Sequence, residues 1–563
     1  MKKTILIFFS TIACFLCYGQ QDIGKSTDEY FKRTEPLGFS GAIIISKDGE
    51  TILNEGYGYA NREIQKKNTS NSVFSTGSVT KQFTAAAIMK LEMMGKLKTD
   101  DKISKYFENV PNVKSEIKIH NLLTHTSGLT GALADDFDEI SKEKYLNQAL
   151  NSKLEFNPSE NFNYSNVGYS LLAMIIEKQS GISYEEFLNK YLFTPSGMNQ
   201  TGYKLPDWNE SNFVQIYNGS KNNGSTEIFT NPTWHLIGNG GILSTTSDMI
   251  KWVKALNTEK ILSNKIKEKM FTPYRNDYGY GWDVLDDGAL RQHNGGSTLG
   301  LGAELRWFVQ DKVVTMIFTN ATINGDLGFN VVRGDLEALA MGDNIPLPPK
   351  FSTVKADTKF LVGTYQLPSG QQFQIQNNSE YAVLLIDNQE LLDLISDPKN
   401  YSPNSPSIVL NKKFHEAFDK AFSNNDYSGF SFTGASKELE NEIKNEIKME
   451  GLKNPHFKVV KSFLSKNNKN AYITQIALSE DPDFNNESML LSIVTENSKY
   501  AGLGVDFGFV GPVELTLYPT GKDKFQAYNL SNKMGAIIEI TGNNDNYNFI
   551  VNGTKVSNIK KIN

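Results

Sequence analysis

Two pairs of strand-like runs, lying far apart in the chain, set the strongest limit on how it can fold. Residues 38–60 read GFSGAIIISKDGETILNEGYGYA, two β-rich runs around Lys47-Asp48-Gly49. Asp-Gly between such runs is a strong hairpin signal. Between Gly300 and Asn320 the pattern returns, with AELRWFVQ and VVTMIFT flanking Asp311-Lys312. The intervening sequence is helical in period. From Ser78 onward Val79, Phe83, Ala87, Leu91 and Met94 recur at helical spacing, and Val167 to Ser180 is rich in Leu, Ile and Met before Gly181 stops it. Strands at both ends of a segment with helices between them predict an α+β fold, an antiparallel sheet built from distant pieces with helices packed against it.

That segment, 21–345, closes at IPLPPK (345–350), whose prolines mark a stiff linker taken here as 346–358. Residues 359–410 and 511–563 read as short strands with turn residues such as Asn543-Asp545 and Asn552-Gly553, a small β-barrel-like module. Residues 411–510 read as an α+β insertion or a separate small domain. Phe414 to Phe422 and Lys437 to Glu450 are helical in pattern, followed by strand-like AYITQIALS and SMLLSIVT.

The 563-residue chain carries a net charge of -6 and no basic block, which argues against a nucleic-acid partner. Its first twenty residues, MKKTILIFFSTIACFLCYGQ, have a charged start, an apolar run too short for a membrane span and a small or polar exit. They are expected to form a cleaved secretory signal, placing the protein in the periplasm or outside the cell. Both cysteines, Cys14 and Cys17, lie inside that signal, so the mature chain is expected to use no disulfide, thiol nucleophile or cysteine-held metal. No other apolar stretch approaches the ~20 residues of a membrane helix, and no stable span is expected after signal removal.

Chemistry is suggested first by FSTGSVTKQFTA (74–85). A serine hydroxyl needs a base to become a nucleophile, and a neutral amine or a phenoxide can serve. At a helix start Ser78 and Lys81 fall on one face, and the Ser78 N–H has no intrahelical partner, so it is free to meet an oxyanion. The bare S-x-x-K pattern recurs at Ser115, Ser141, Ser352, Ser396 and Ser557, so it decides nothing alone. Downstream, Tyr164-Ser165-Asn166 precedes the second long helix, a phenol and a carboxamide delivered by one tight loop. Tyr145-Leu146-Asn147 shows the same tripeptide in a mid-helix setting, where the two side chains cannot converge. A third stretch, RQHNGGSTLG, sets His293, Asn294, Gly295 and Gly296 just before strands. Glycines at a sheet edge let a substrate backbone approach and offer amide donors.

In this order, Ser78-Val79-Thr80-Lys81, Tyr164-Ser165-Asn166 and His293-Asn294-Gly295 resemble the three motifs of penicillin-recognising serine hydrolases. The branch they look most like holds class C β-lactamases, D-alanyl-D-alanine carboxypeptidases and related esterases. GAIIISKDGETILNEGYGYAN, LLTHTSGL (122–129) and GGILSTTSDMIKWV (240–253) share the look, and the resemblance spans about residues 30–345. It implies a β-lactamase/transpeptidase-like fold with a helical subdomain. Ser78 is then the nucleophile, with Lys81 and Tyr164 jointly moving its proton, and Asn166 bonds the substrate amide. The N–H groups of Ser78 and Gly296 form the oxyanion hole, and His293, Asn294 and Gly295 contact substrate. No cofactor or metal is implied. The third motif departs from the Lys-Thr-Gly of many β-lactamases, because a histidine is mostly neutral at pH 7 and Asn294 has no hydroxyl. The expected substrate is therefore an amide or ester, D-amino-acid peptides or small esters before β-lactams, with peptidoglycan-derived peptides among the candidates. His125 of THTSGL is expected to brace a loop.

Other hydrolytic chemistries fit poorly. The chain contains no G-x-S-x-G, and its six histidines (120, 125, 235, 293, 415, 456) form no H-E-x-x-H. The alternative from another class is a non-catalytic protein that senses peptidoglycan or β-lactams on the same fold. The sequence leaves the oligomeric state open.

Overall fold

The computed structural model describes residues 22–562 except 220, 324–325, 352–357, 379–380, 398, 400, 403, 466–467, 469, 483, 485–487, 498, 509–512, 522, 532 and 544–545. The expected signal with its two cysteines, residues 352–357 of the expected linker and the 544–545 part of the expected Asn543-Asp545 turn lie outside the described residues. Two compact units are present, one ending at Leu347 and one beginning at Pro348, with Asp326 grouped with the second. Among the described residues no helix is long and apolar enough to cross a membrane.

The first unit opens with helix α1 (Ile23–Thr34), whose N-terminus is capped by the Asp22 side chain. Strands β1 (Gly41–Lys47) and β2 (Glu50–Tyr57) follow as a hairpin. Asp48 (φ 52°) and Gly49 (φ 85°) are both left-handed, the tight-turn geometry that Asp-Gly favours. Helices α2 (Thr80–Met93) and α3 (Asn166–Ser180) come next. Then come β3 (Asp283–Leu285), β4 (Leu290–Gly296), β5 (Gly302–Phe308), β6 (Val313–Thr319) and helix α4 (Gly328–Met341).

The sheet runs in the order β2-β1-β6-β5-β4-β3 and is antiparallel throughout. Gly41 faces Thr319 and Lys47 faces Val313, so the two remote runs are the centre of one sheet. β1 is buried on both faces: Ala42 and Ile44 join the core around α2, while Ile43 and Ile45 are buried on the opposite side.

Helices α2 and α3 are buried nearly all round, as interior helices are. Phe83 of α2 meets Trp252 and Phe193 edge-on, at 4.9 and 5.1 Å between ring centroids. On α3, Leu171, Leu172, Ile175 and Ile176 are fully buried, each adding about 1.5–3 kcal/mol of apolar transfer energy. Ser165 caps α3 by accepting the Gly168 N–H, and Gly181 ends it at φ 77°. The helix expected to start at Ser78 begins two residues later. Gly77–Val79 form a 3₁₀ turn closed by Val79 N–H donating to the Thr76 carbonyl, because Gly77 sits at φ 50° and cannot join a right-handed helix there.

The second unit contains a closed eight-stranded barrel. Its strands come from Gly363–Gln366, Gln372–Asn378 and Tyr381–Ile386, then from five strands between Val513 and Lys561. Tyr365 and Phe373 stack at 5.3 Å inside it, and Tyr365 opposite Lys561 closes the ring. Asn552 (φ 48°) and Gly553 (φ 91°) turn its last hairpin as their sequence suggests. Among the described residues three α-helices, Gln389–Ser396, Pro406–Asn424 and Ser436–Met449, a 3₁₀ helix, Tyr427–Thr433, and a four-stranded sheet from His456 to Gly508 stand between the third and fourth barrel strands. The strand reading of 359–410 is thus wrong beyond Ile386. Asn388 caps the first helix by accepting the Leu391 N–H, and Pro406 opens the second from its first turn, where a missing N–H costs nothing.

Candidate active site

Ser78 is placed by the meeting of a short strand pair, a 3₁₀ turn and a sheet edge. Phe74–Ser75 pairs with Leu243–Ser244, the chain turns at Gly77, and α2 begins at Thr80. β3 covers β4 only at Leu290 to Gln292, which leaves the margin from His293 to Gly296 open to the Ser78 turn. A Cβ on Gly295 would meet the Ser78 nitrogen at 2.3 Å and the Thr76 carbonyl oxygen at 2.7 Å. Only a glycine lets the two backbones come this close.

The same margin orients a donor. Ser297 N–H donates to the Leu301 carbonyl, and antiparallel ladders alternate bonded with outward-facing pairs. Gly296, opposite Gly302, therefore turns its N–H away from β5 toward the cleft. The Ser78 N–H enters none of the turn or loop hydrogen bonds among the described residues. These donors line a cavity of about 70 Å³ together with Asn166, Asn239 and Asp136.

Lys81 is fully buried beneath the cleft. Its Nζ lies 3.0 Å from Ser78 Oγ, 2.8 Å from Asn166 Oδ1 and 2.8 Å from the Asn239 carbonyl oxygen. Burial holds its pKa well below the usual lysine value, with the Asp136 charge opposing the shift. A neutral amine has two N–H donors and one lone pair. Asn166 Oδ1 and the Asn239 carbonyl can only accept, so in the neutral form of the amine they take both donors and the lone pair is left for the Ser78 hydroxyl.

Tyr164 sits beside this pair, its ring centroid 4.7 Å from Lys81 Nζ, and the Ser78 side chain acts to lower the pKa of its hydroxyl. The residue as a whole is 36 % exposed, but the hydroxyl lies in dense surroundings that push its pKa above the usual phenol value, aided by Asp283. It is a phenol, not a phenoxide, near neutral pH.

His125 builds the Tyr164 loop. Its Nδ1 accepts the Ser165 N–H at 3.0 Å, its carbonyl accepts the Asn163 N–H at 2.9 Å, and its ring lies 4.2 Å from the Tyr164 ring. It does so at φ 57°, a left-handed conformation uncommon for a residue with a side chain. That is the bracing part foreseen for it.

His293 is placed differently from a substrate contact. It is buried, Nε2 accepts from the Tyr278 hydroxyl at 2.9 Å, and Nδ1 donates to the Asn294 carbonyl at 2.6 Å. Burial and the nearby Lys81 lower its pKa to about 3, so it carries no charge at neutral pH. Asn294 is exposed on the cleft margin. The structure thus gathers Ser78, Lys81, Tyr164, Asn166, Gly295 and Gly296 at one point and turns the His293 imidazole inward. Sequence reasoning missed the Asn239 carbonyl and the Tyr278 hydroxyl. The first is a main-chain atom that no residue type announces, and NDYGYGW around the second carries no recognisable motif.

The sequence profile of the beta-lactamase family matches residues 35–339, more than half of the chain. The chain belongs to the beta-lactamase family. PbpX of Bacillus subtilis (strain 168) is 32 % identical over 310 residues, covering 54 % of this chain and 76 % of that protein. Penicillin-binding protein 4* of the same strain is 28 % identical over 406 residues, covering 63 % and 86 %. A solved structure described as the octameric penicillin-binding protein homologue from Pyrococcus abyssi aligns with 96 % of this chain and all of its own, at 21 % identity and a TM-score of 0.49.

Proposed function

We propose that this beta-lactamase-family protein is a secreted serine hydrolase that cleaves esters or amides through an acyl-enzyme on Ser78. One observation carries the reading: the buried Lys81 Nζ lies 3.0 Å from Ser78 Oγ, with two obligate acceptors at 2.8 Å that would leave a neutral amine's lone pair for that hydroxyl. Lys81 takes the hydroxyl proton as Ser78 Oγ bonds to the substrate carbonyl carbon, and the negative oxygen forms between the N–H groups of Ser78 and Gly296. The C–O or C–N bond of the substrate then breaks, with the leaving group receiving its proton from Tyr164, which is reprotonated from Lys81. Water, deprotonated by the same pair, cleaves the acyl–oxygen bond, releases the acid and restores Ser78. Asn166, whose Oδ1 faces Lys81, keeps its NH₂ for a substrate carbonyl.

D-amino-acid peptides and small esters are favoured over β-lactams. The position that is a lysine in many β-lactamases is here His293, uncharged and with both nitrogens engaged, so it offers no cation to a β-lactam carboxylate. Purified protein should be screened with p-nitrophenyl esters, nitrocefin and D-alanyl dipeptides, alongside Ser78→Ala. Turnover of an ester or peptide that Ser78→Ala lacks supports the reading, and equal turnover by both proteins refutes it.

A further inference from the structure

Among the described residues that line the cleft, Asp136 is the one charged side chain. Its main chain is pinned by Thr233 Oγ1, which donates to the Asp136 carbonyl at 2.7 Å. Its carboxylate has no hydrogen-bond or ion-pair partner among the described residues. Other shielded acids of this unit are treated otherwise. Asp248 accepts from Gln200 N–H, Thr201 Oγ1 and Lys251 Nζ, and Glu304 pairs with Arg333 at 3.1 Å. Lys81 and His235 attract the Asp136 carboxylate without touching it, so the partly desolvated anion keeps a place for a cationic ligand to pair with it directly.

The rest of the cleft points the same way. Its walls offer amide donors, carboxamides and apolar side chains such as Phe229 and Leu236, and His293 supplies no positive charge.

We propose that Asp136 selects for a cationic group on the substrate, an ammonium or guanidinium, so that the site prefers esters and amides that carry a cation to their neutral counterparts. This rests on the acyl-transfer reading above and names its substrate class. Asp136 is a specificity-determining residue in this account and takes no part in bond making. Binding a cation also cancels the field that opposes loss of the proton from Lys81, so the favoured substrate helps to prepare the base.

The test is a matched pair of substrates: the p-nitrophenyl ester of γ-trimethylammoniobutyrate and its uncharged isostere, with carbon in place of nitrogen. Wild type should prefer the cationic ester by about three- to fivefold in kcat/KM, the scale of a solvent-accessible ion pair. Asp136→Asn should bring that ratio close to one, and Asp136→Lys should reverse it. A ratio near one in wild type, or a ratio that Asp136→Asn leaves unchanged, overturns the proposal. A fluorophosphonate probe reports separately on Ser78. Labelling with equal hydrolysis of both esters removes the cation preference alone, whereas no labelling and no hydrolysis removes the acyl-transfer reading and this proposal with it.

Discussion

Lys81 Nζ stands 3.0 Å from Ser78 Oγ inside a cage in which, among the described residues, no charged side chain touches it. Its surroundings are the Asn166 amide, the Asn239 carbonyl, the rings of Tyr164 and Tyr169, and the uncharged imidazoles of His125 and His293, with Asp136 as the nearby anion. Desolvation wins over the Asp136 attraction, and the amine is held toward its neutral form.

Lys81→Arg, which keeps a charge but cannot release a proton, should therefore lower kcat/KM for an activated ester by about 10²–10⁴-fold, as should Lys81→Ala. The rate should rise with pH through a Lys81 pKa lying below that of free lysine. Removing the nearby anion with Asp136→Asn should move that acid limb to lower pH, because the anion favours the ammonium. Stopped-flow acylation rates across a pH series measure both effects, and an acid limb that stays put or moves upward would contradict them.

The approach of β4 to the nucleophile turn makes Gly295 intolerant. A Cβ at 2.3 Å from the Ser78 nitrogen forces the two backbones apart and opens the space between the two oxyanion donors. Gly295→Ala should lower kcat by about 10²-fold or more and cost about 1–3 kcal/mol of stability. Gly334, whose Cβ would meet nothing within 4 Å, is the matched control. Kinetics and urea denaturation of both alanine variants provide the comparison.

His293 makes a prediction about acid stability. Its native pKa of about 3 lies below the unfolded value of 6.5, so it has no effect well above pH 6.5, where both states are neutral. As pH falls from 6.5 toward 3, the unfolded chain takes up a proton that the native site refuses, and stability is lost. Roughly 3 kcal/mol should disappear by pH 4 through this group alone. Urea unfolding of wild type at pH 7 and pH 4 should show that extra loss relative to His293→Gln, and an equal loss in both would refute the assignment.

Much of this organisation could be read in the sequence because local chemistry dictated it. Asp48-Gly49 needs left-handed backbone, Gly181 ends a helix that Ser165 begins, and two remote β-rich runs have no other apolar edge to join. The helix Gln389–Ser396 was hidden by its short apolar run, and the first turns of Pro406–Asn424, whose Phe414–Phe422 part is legible, by Pro406, which reads as a breaker until it falls in a first turn. At the site, residue types announced Ser78, Lys81 and Tyr164. They said nothing of the Asn239 carbonyl that takes the second Lys81 donor, nor of which way the His293 ring points. Asp136 had no motif, and only packing set its carboxylate in the cleft.

The covalent step can be observed directly. Protein quenched in acid during turnover of a slow p-nitrophenyl ester should gain the mass of one acyl group. Peptide mapping should place that group on Ser78, and Ser78→Ala should gain nothing. An acyl group found on another residue, or turnover of the same ester by the Ser78→Ala protein, would contradict the account.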